Sequence, residues 1–171
     1  MLAACGGGDD APTASGQSNA TTSAPAPRAT TTTVPPIEGV QTFAAEQGHI
    51  EGTVNYPQVP PIGGLHNPLW QPCGYYEQPI PNEKAVHSLE HGAIWITHRP
   101  DLPAAEIATL ATLALSRNYV LVSPWPEGLP SPVVVTGWGR QLRLQSVGDP
   151  RLNQFVLRYA GQGPEVNGPC S

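Results

Sequence analysis

The sequence predicts an α+β domain of two layers: a mostly antiparallel sheet of about four strands, with two main helices on one face and a proline-rich irregular segment ahead of them. Three observations carry this expectation. Short runs rich in β-branched residues, AIWIT, YVLVS and PVVVTGW, are followed by the alternating RQLRLQS. Two longer stretches, LPAAEIATLATLALS and DPRLNQFVLRYAG, carry apolar residues at helical spacing. Seven prolines between Ile50 and Pro81 exclude long helices and central strands from that region.

The first regular element is PNEKAVHSLEHG, a short helix with Asn82 as N-cap, Glu83 in the first turn and Gly92 as its stop. AIWIT follows as a strand. In the next helix Leu102, Ile107, Leu110, Leu113 and Ala114 fall on one face. YVLVS and PVVVTGW are strands, and RQLRLQS places Leu142 and Leu144 on one side. The closing helix has Asp149 as cap, Pro150 at its first position and Gly161 at its end. Its buried stripe is Leu152, Phe155, Val156 and Tyr159.

Composition divides the chain into a tether, residues 1–36, and a folded domain, residues 37–171. Gly6 to Pro36 holds no aromatic residue, and Val34 is its only large aliphatic. Such a stretch buries too little apolar surface to offset the entropy of ordering it. All four Trp, five Tyr and five His lie beyond Ile37, enough for a single core. A formal net charge of −5, with eight Lys and Arg, argues against a nucleic-acid partner. No basic run offers docking to an anionic membrane.

Leu2-Ala3-Ala4-Cys5 resembles the bacterial lipobox, in which the Cys becomes the lipid-bearing N-terminus. The charged start and apolar stretch of an export signal are missing, so translation is expected to begin upstream. The membrane contact is then lipid on Cys5, with the domain outside the cytoplasm. In that oxidising compartment Cys73 and Cys170 are the candidate disulfide, although Cys73 also suits a free thiol or a ligand. A bridge between them would close a loop of about a hundred residues, worth about 4–5 kcal/mol by chain-entropy arithmetic.

The chemistry concentrates in VHSLEHG. HSLEH matches H-x-x-E-H, in which two helical His bind zinc and the Glu activates water. Against a peptidase stand the short helix and the lack of a helical partner acid: after Glu106 only Glu127, Asp149 and Glu165 remain. The wider set adds His66, from PPIGGLHNPLW. His66, His87 and His91 make three imidazoles suited to zinc or copper, with Glu90 or Cys73 as a fourth ligand. Thioether handling of Cu(I) is excluded, because Met1 is the only Met. The plainer alternative is that these His bond backbone groups and pack against Trp70, Trp95, Tyr75 and Tyr76. His49, in the polar turn EQGHIEG, is expected to be exposed or to support a ligand rather than to be one. His98 is expected at the rim of its strand.

YPQVPPIGGLHNPLW, CGYY, EKAVHSLEHGAIWITHRPDLPA, VTGWGRQLRL and PEVNGPC together resemble the bacterial family called domain of unknown function 3105 (DUF3105), over Gly48 to Cys170. The resemblance implies a secreted, membrane-tethered or lipoprotein-like chain and no particular activity. It supports His66, Cys73, His87, Glu90, His91 and Cys170 as a set without saying what they bind. At His98 the family more often has Tyr, which speaks against a ligand there.

The expectation is therefore an exported, lipid-anchored protein holding zinc or copper through His66, His87 and His91, with Glu90 as fourth ligand or orienting group. A metal-dependent hydrolase using Glu90 as base is one alternative. A non-catalytic interaction module with structural histidines is the other. No residue is assigned a catalytic role, and no protein partner is indicated. Geometry decides among them, since ligands of one ion bring their donor atoms within about 3–4 Å of each other.

Overall fold

The computed structural model describes residues 34–126, 128–165 and 168. The lipid site expected at Cys5, nearly all of the tether, and Cys170 of the expected disulfide lie outside the described residues. No helix among the described residues is long and apolar enough to cross a membrane.

In chain order the elements are β1 (Gln41–Thr42), β2 (Gly74–Tyr75), α1 (Asn82–Glu90), β3 (Ile94–His98), α2 (Ala104–Ser116), β4 (Val120–Pro124), β5 (Val133–Gly137), β6 (Arg140–Leu144) and α3 (Pro150–Tyr159). The class is α+β. The strands form one six-stranded sheet in the order β1-β6-β5-β3-β4-β2. Its β1–β6, β6–β5 and β5–β3 pairs are antiparallel, whereas β3–β4 and β4–β2 are parallel. The sheet is thus mixed and wider than the four mostly antiparallel strands expected. α2 supplies the crossover that a parallel β3–β4 pair requires. The two extra strands are two-residue edges.

Side-chain alternation sorts the sheet into two faces. On one, Ile94, Ile96, Val120, Val122, Val133, Val135, Leu142 and Leu144 pack with Leu110 of α2 and Leu152, Phe155 and Val156 of α3. On the other, Trp95 and Leu121 pack with Ala85 and Leu89 of α1. Helices therefore cover both faces, and α1, with the irregular segment before it, forms the layer that the two-layer expectation lacks. Trp95 is fully buried and its indole N–H donates to Ser123 Oγ at 3.0 Å, which satisfies its one polar group.

The ends of α3 follow its sequence signals. Asp149 accepts the Arg151 N–H, Pro150 stands first, and Gly161 takes the left-handed conformation with φ 74° just past the end. α1 differs at its start: Pro81, not Asn82, is the capping residue, and no side chain caps the helix. Its end is as expected, with Gly92 at φ 92°. Gly92 also has no room for a side chain, since a Cβ there would lie 2.7 Å from the Gly161 carbonyl carbon.

Candidate metal centre

α1 is short and buries polar residues as well as apolar ones: His87, Ser88 and Glu90 are all at most 4 % exposed. Positions three and four apart share one helical face, so His87, Glu90 and the C-cap residue His91 point the same way. The irregular segment is laid against that face. The Asn67 and Gln71 N–H groups donate to the Glu83 and Lys84 carbonyls, and Ser88 Oγ donates to the Gln71 carbonyl. The other side of the segment is tied to the β5–β6 hairpin, where the Gly139 N–H donates to the Ile62 carbonyl and Gln141 Nε2 to Pro60. Gly63, at φ 146°, lets the chain pass so close to Ala45 that a Cβ would meet it at 2.6 Å. These ties set His66, which is fully buried, over α1.

The loop before the segment completes the set. Two backbone bonds, Ile50 N–H to the His66 carbonyl and His66 N–H to the Gly48 carbonyl, bring His49 alongside His66. His49, His66, His87 and Glu90 each offer a donor atom, and those four atoms all lie within 4.8 Å of one another.

Hydrogen bonds at the far ring nitrogens define which lone pairs face inward. His66 Nδ1 donates to the Gly64 carbonyl at 2.7 Å, His87 Nδ1 to Asn67 at 2.7 Å, and His91 Nδ1 to Glu165 at 3.1 Å. A carbonyl only accepts, so in each neutral ring Nδ1 carries the proton and Nε2 holds a lone pair. His66 Nε2 lies 3.0 Å from Glu90 Oε2, and both atoms are buried without a hydrogen-bond partner among the described residues. His87 Nε2 lies 2.9 Å from His91 Nε2. Two lone pairs at such distances repel unless a proton or a metal ion lies between them. Donors around zinc, bonded at about 2.0–2.1 Å, lie about 3.3–3.4 Å apart in a tetrahedron. The His66–Glu90 contact of 3.0 Å is near that spacing, and the group as a whole, within 4.8 Å, would draw in slightly around an ion.

Charge and solvation favour the same occupant. Burial, the largest effect, holds the His87 imidazole below its ordinary pKa of 6.5; the Asn67 carbonyl works against this, and the neighbouring His66, His91 and His49 add to it. A neutral imidazole is the form that ligates. The Glu90 carboxylate is the only acid in the four-donor set, and its other oxygen, Oε1, accepts from Gln47 Nε2 at 3.1 Å. Trp138 stands edge-on to His66 at 5.9 Å, and Trp70 to His87 at the same distance, so apolar rings wall the donors.

A family model described as a protein of unknown function, DUF3105, matches residues 49–171. The chain belongs to the DUF3105 family. No curated protein and no solved structure matches it.

In this DUF3105 protein the donor atoms of His66, His87 and Glu90 come within 4.8 Å of one another, a looser grouping than the spacing of about 3–4 Å expected of His66, His87 and His91. His91 lies outside the four-donor group and touches it through His87. Cys73 is not in the group; it packs with the Trp95 cluster. His49 is the residue that sequence reasoning set aside, because its polar neighbours mark an exposed turn. It is half-exposed, yet it joins the donors through a bridge to a segment distant in sequence. The Gly48 and Gly52 flanking it were the available signal. His98 is buried rather than at a rim: α2 and its leading turn cover its strand face, and its Nδ1 donates to the Arg99 carbonyl.

Proposed function

We propose that this protein binds one transition-metal ion, zinc or copper, through His49, His66, His87 and Glu90, with His91 bordering the site. The observation that carries the reading is the facing of His66 Nε2 and Glu90 Oε2 at 3.0 Å, both buried and neither with a hydrogen-bond partner among the described residues. A buried carboxylate is costly unless a cation compensates it. Without a metal ion two protons would be needed, one on His66 facing Glu90 and one shared by His87 and His91, whose Nε2 atoms lie 2.9 Å apart. A single ion among His49, His66, His87 and Glu90 replaces them. Nitrogen and oxygen donors suit zinc and Cu(II) rather than Cu(I).

Bound there, the ion would supply Lewis acidity or redox chemistry, and the chain's own residues would orient it. The Gly64 and Asn67 carbonyls fix the two buried rings, and Gln47 steadies Glu90. The turn of Glu90 into the donor group supports a ligand, not the free base that the hydrolase alternative needs.

We extend the proposal to location: the domain is exported and held to the membrane by lipid on Cys5. The LAAC sequence and the Ala/Thr/Ser/Pro stretch after it support this.

Metal analysis of tag-free protein purified without chelator tests the reading. One equivalent of zinc or copper is expected, falling to background in His66→Ala. Substoichiometric metal that His66→Ala leaves unchanged would reject it. Labelling of the cellular protein with a fatty-acid analogue, abolished by Cys5→Ser, tests the anchor.

A further inference from the structure

The four donors differ sharply in their access to solvent. The side chains of His66 and Glu90 are 0 % and 2 % exposed, and His87 is buried as well, whereas the side chain of His49 is 48 % exposed. His49 lies across the other imidazoles like a cover. Its ring stacks on His87 with centroids 4.9 Å apart and planes at 19°, and it stands edge-on to His66 at 4.9 Å.

The rings are also held differently. His66, His87 and His91 are each fixed through Nδ1 to a backbone carbonyl. Among the described residues no such bond orients His49, whose nearest charged atom is Glu90 Oε2 at 3.8 Å. Among the described residues its backbone neighbours are tied at the bridge to His66, between Gly48 at φ 151° and Gly52 at φ 107°. Nothing lies within 4 Å of where a Gly52 Cβ would stand. On the Gly52 side the backbone can turn with little steric resistance, whereas Gly48 is held by the His66 N–H and faces Leu65. The freedom of His49 lies in its exposed, unanchored ring.

We propose that His49 is the exchange ligand of this centre: it takes up the hydrated ion from solvent, passes it to His66, His87 and Glu90, and governs its release. The site is then built for loading and unloading through one side, as suits a protein that acquires or hands over a metal ion, rather than for permanent retention. This rests on the metal-binding reading above.

Stopped-flow mixing of metal-free protein with Cu(II) tests it, with quenching of tryptophan fluorescence as the signal. Trp70 and Trp138 each stand 5.9 Å from a donor ring and serve as reporters. Release is then followed after mixing the loaded protein with EDTA. His49→Ala should still take up one equivalent, but bind more slowly and release faster, each by about tenfold, the lower end of what altering a metal's supporting groups costs. His66→Ala should lose uptake. Unchanged association and release in His49→Ala would overturn the proposal, showing that the ion enters elsewhere. So would loss of uptake equal to that of His66→Ala, which would make His49 an integral ligand. Absence of uptake by the wild-type protein would instead bring down the metal-binding reading, and this inference with it. Because His49 is solvent-facing, its variant should fold; circular dichroism of both variants verifies that.

Discussion

His66 Nε2 and Glu90 Oε2 face each other across 3.0 Å in the interior, and neither has a hydrogen-bond partner among the described residues. That relationship makes opposite predictions for the protein with and without metal. In Glu90→Gln an amide N–H can donate to His66 Nε2, so the metal-free variant gains a hydrogen bond and loses a buried charge. It should be about 1–3 kcal/mol more stable than metal-free wild type. Metal at a hundredfold excess over its dissociation constant should stabilise wild type by about 2.7 kcal/mol and the variant by far less. Thermal unfolding with and without Zn(II) checks both signs.

The imidazole of His87, held below its ordinary pKa by burial, makes stability depend on pH in a defined direction. Between its folded value and about 6.5 the unfolded chain binds a proton that the folded chain does not. Stability is therefore complete above about pH 6.5 and declines as pH falls toward the folded value. For the same reason metal affinity should hold further into mild acid than for an ordinary histidine site. Unfolding midpoints between pH 5 and 8, with the His87 ring resonances followed by NMR, provide the measurement. A His87 ring that titrates at or above the ordinary value of 6.5 would contradict its burial.

How much of this was legible beforehand depended on chain distance. α2 and α3 announce themselves because Leu110, Leu152, Phe155 and Val156 recur at helical spacing and face one core. β5 and β6 are legible for the same local reason. The two-residue β1 and β2 are too short to show any period. Strand patterns do not reveal partner direction, so the parallel β3–β4 pair was hidden, although α2 between them was the clue. α1 was placed correctly in sequence but not in space, because the face it buries carries His87, Ser88 and Glu90 rather than an apolar stripe. At the site, the helical spacing of His87, Glu90 and His91 was readable. The approach of His49 to His66 depends on a backbone bridge that no local pattern encodes.

The Asp149 cap offers a control away from the metal centre. Its carboxylate accepts the Arg151 N–H at 2.9 Å and meets the Arg151 guanidinium at 2.6 Å. The Arg151 side chain, first among the causes, holds its pKa below the usual 3.8. Because the folded value is depressed, this contribution is present above about pH 3.8 and disappears as pH falls through the folded value. Asp149→Ala should cost about 1 kcal/mol at neutral pH, a drop of about 3–5 °C in midpoint, with metal uptake unchanged. A cost that persisted once the carboxylate is protonated in the folded state would point to packing instead.

The expected disulfide has its own signature. If Cys73 pairs with Cys170, peptide mapping under non-reducing conditions yields one linked fragment containing both residues and no other. Reduction should then lower stability by up to about 4–5 kcal/mol, the loop-entropy ceiling for a ring of this size. A Cys73 peptide that alkylates without prior reduction would refute the pairing.

Gly92 links α1 to the segment after α3, and its replacement tests that junction. Gly161 N–H donates to the Gly92 carbonyl at 2.8 Å, and Glu165 N–H donates to Glu90 in the same run. The His91 ring is bonded to the Glu165 carbonyl, so the junction also steadies the neighbour of His87. A Cβ at Gly92 would stand 2.7–2.9 Å from backbone atoms of Gly161 and Gln162, which cannot rotate away as a side chain could. Its φ of 92° adds the left-handed penalty of about 1–2 kcal/mol. Gly52→Ala separates the two costs, since φ there is 107° but nothing lies within 4 Å. Gly52→Ala should therefore lose about 1–2 kcal/mol and Gly92→Ala distinctly more, by denaturant unfolding. Gly92→Ala should also shift the His91 ring resonances, because the segment that holds its Nδ1 must move. Equal losses in the two variants, with His91 unmoved, would mean that Gly92 serves only the helix end and that the junction does not position His91.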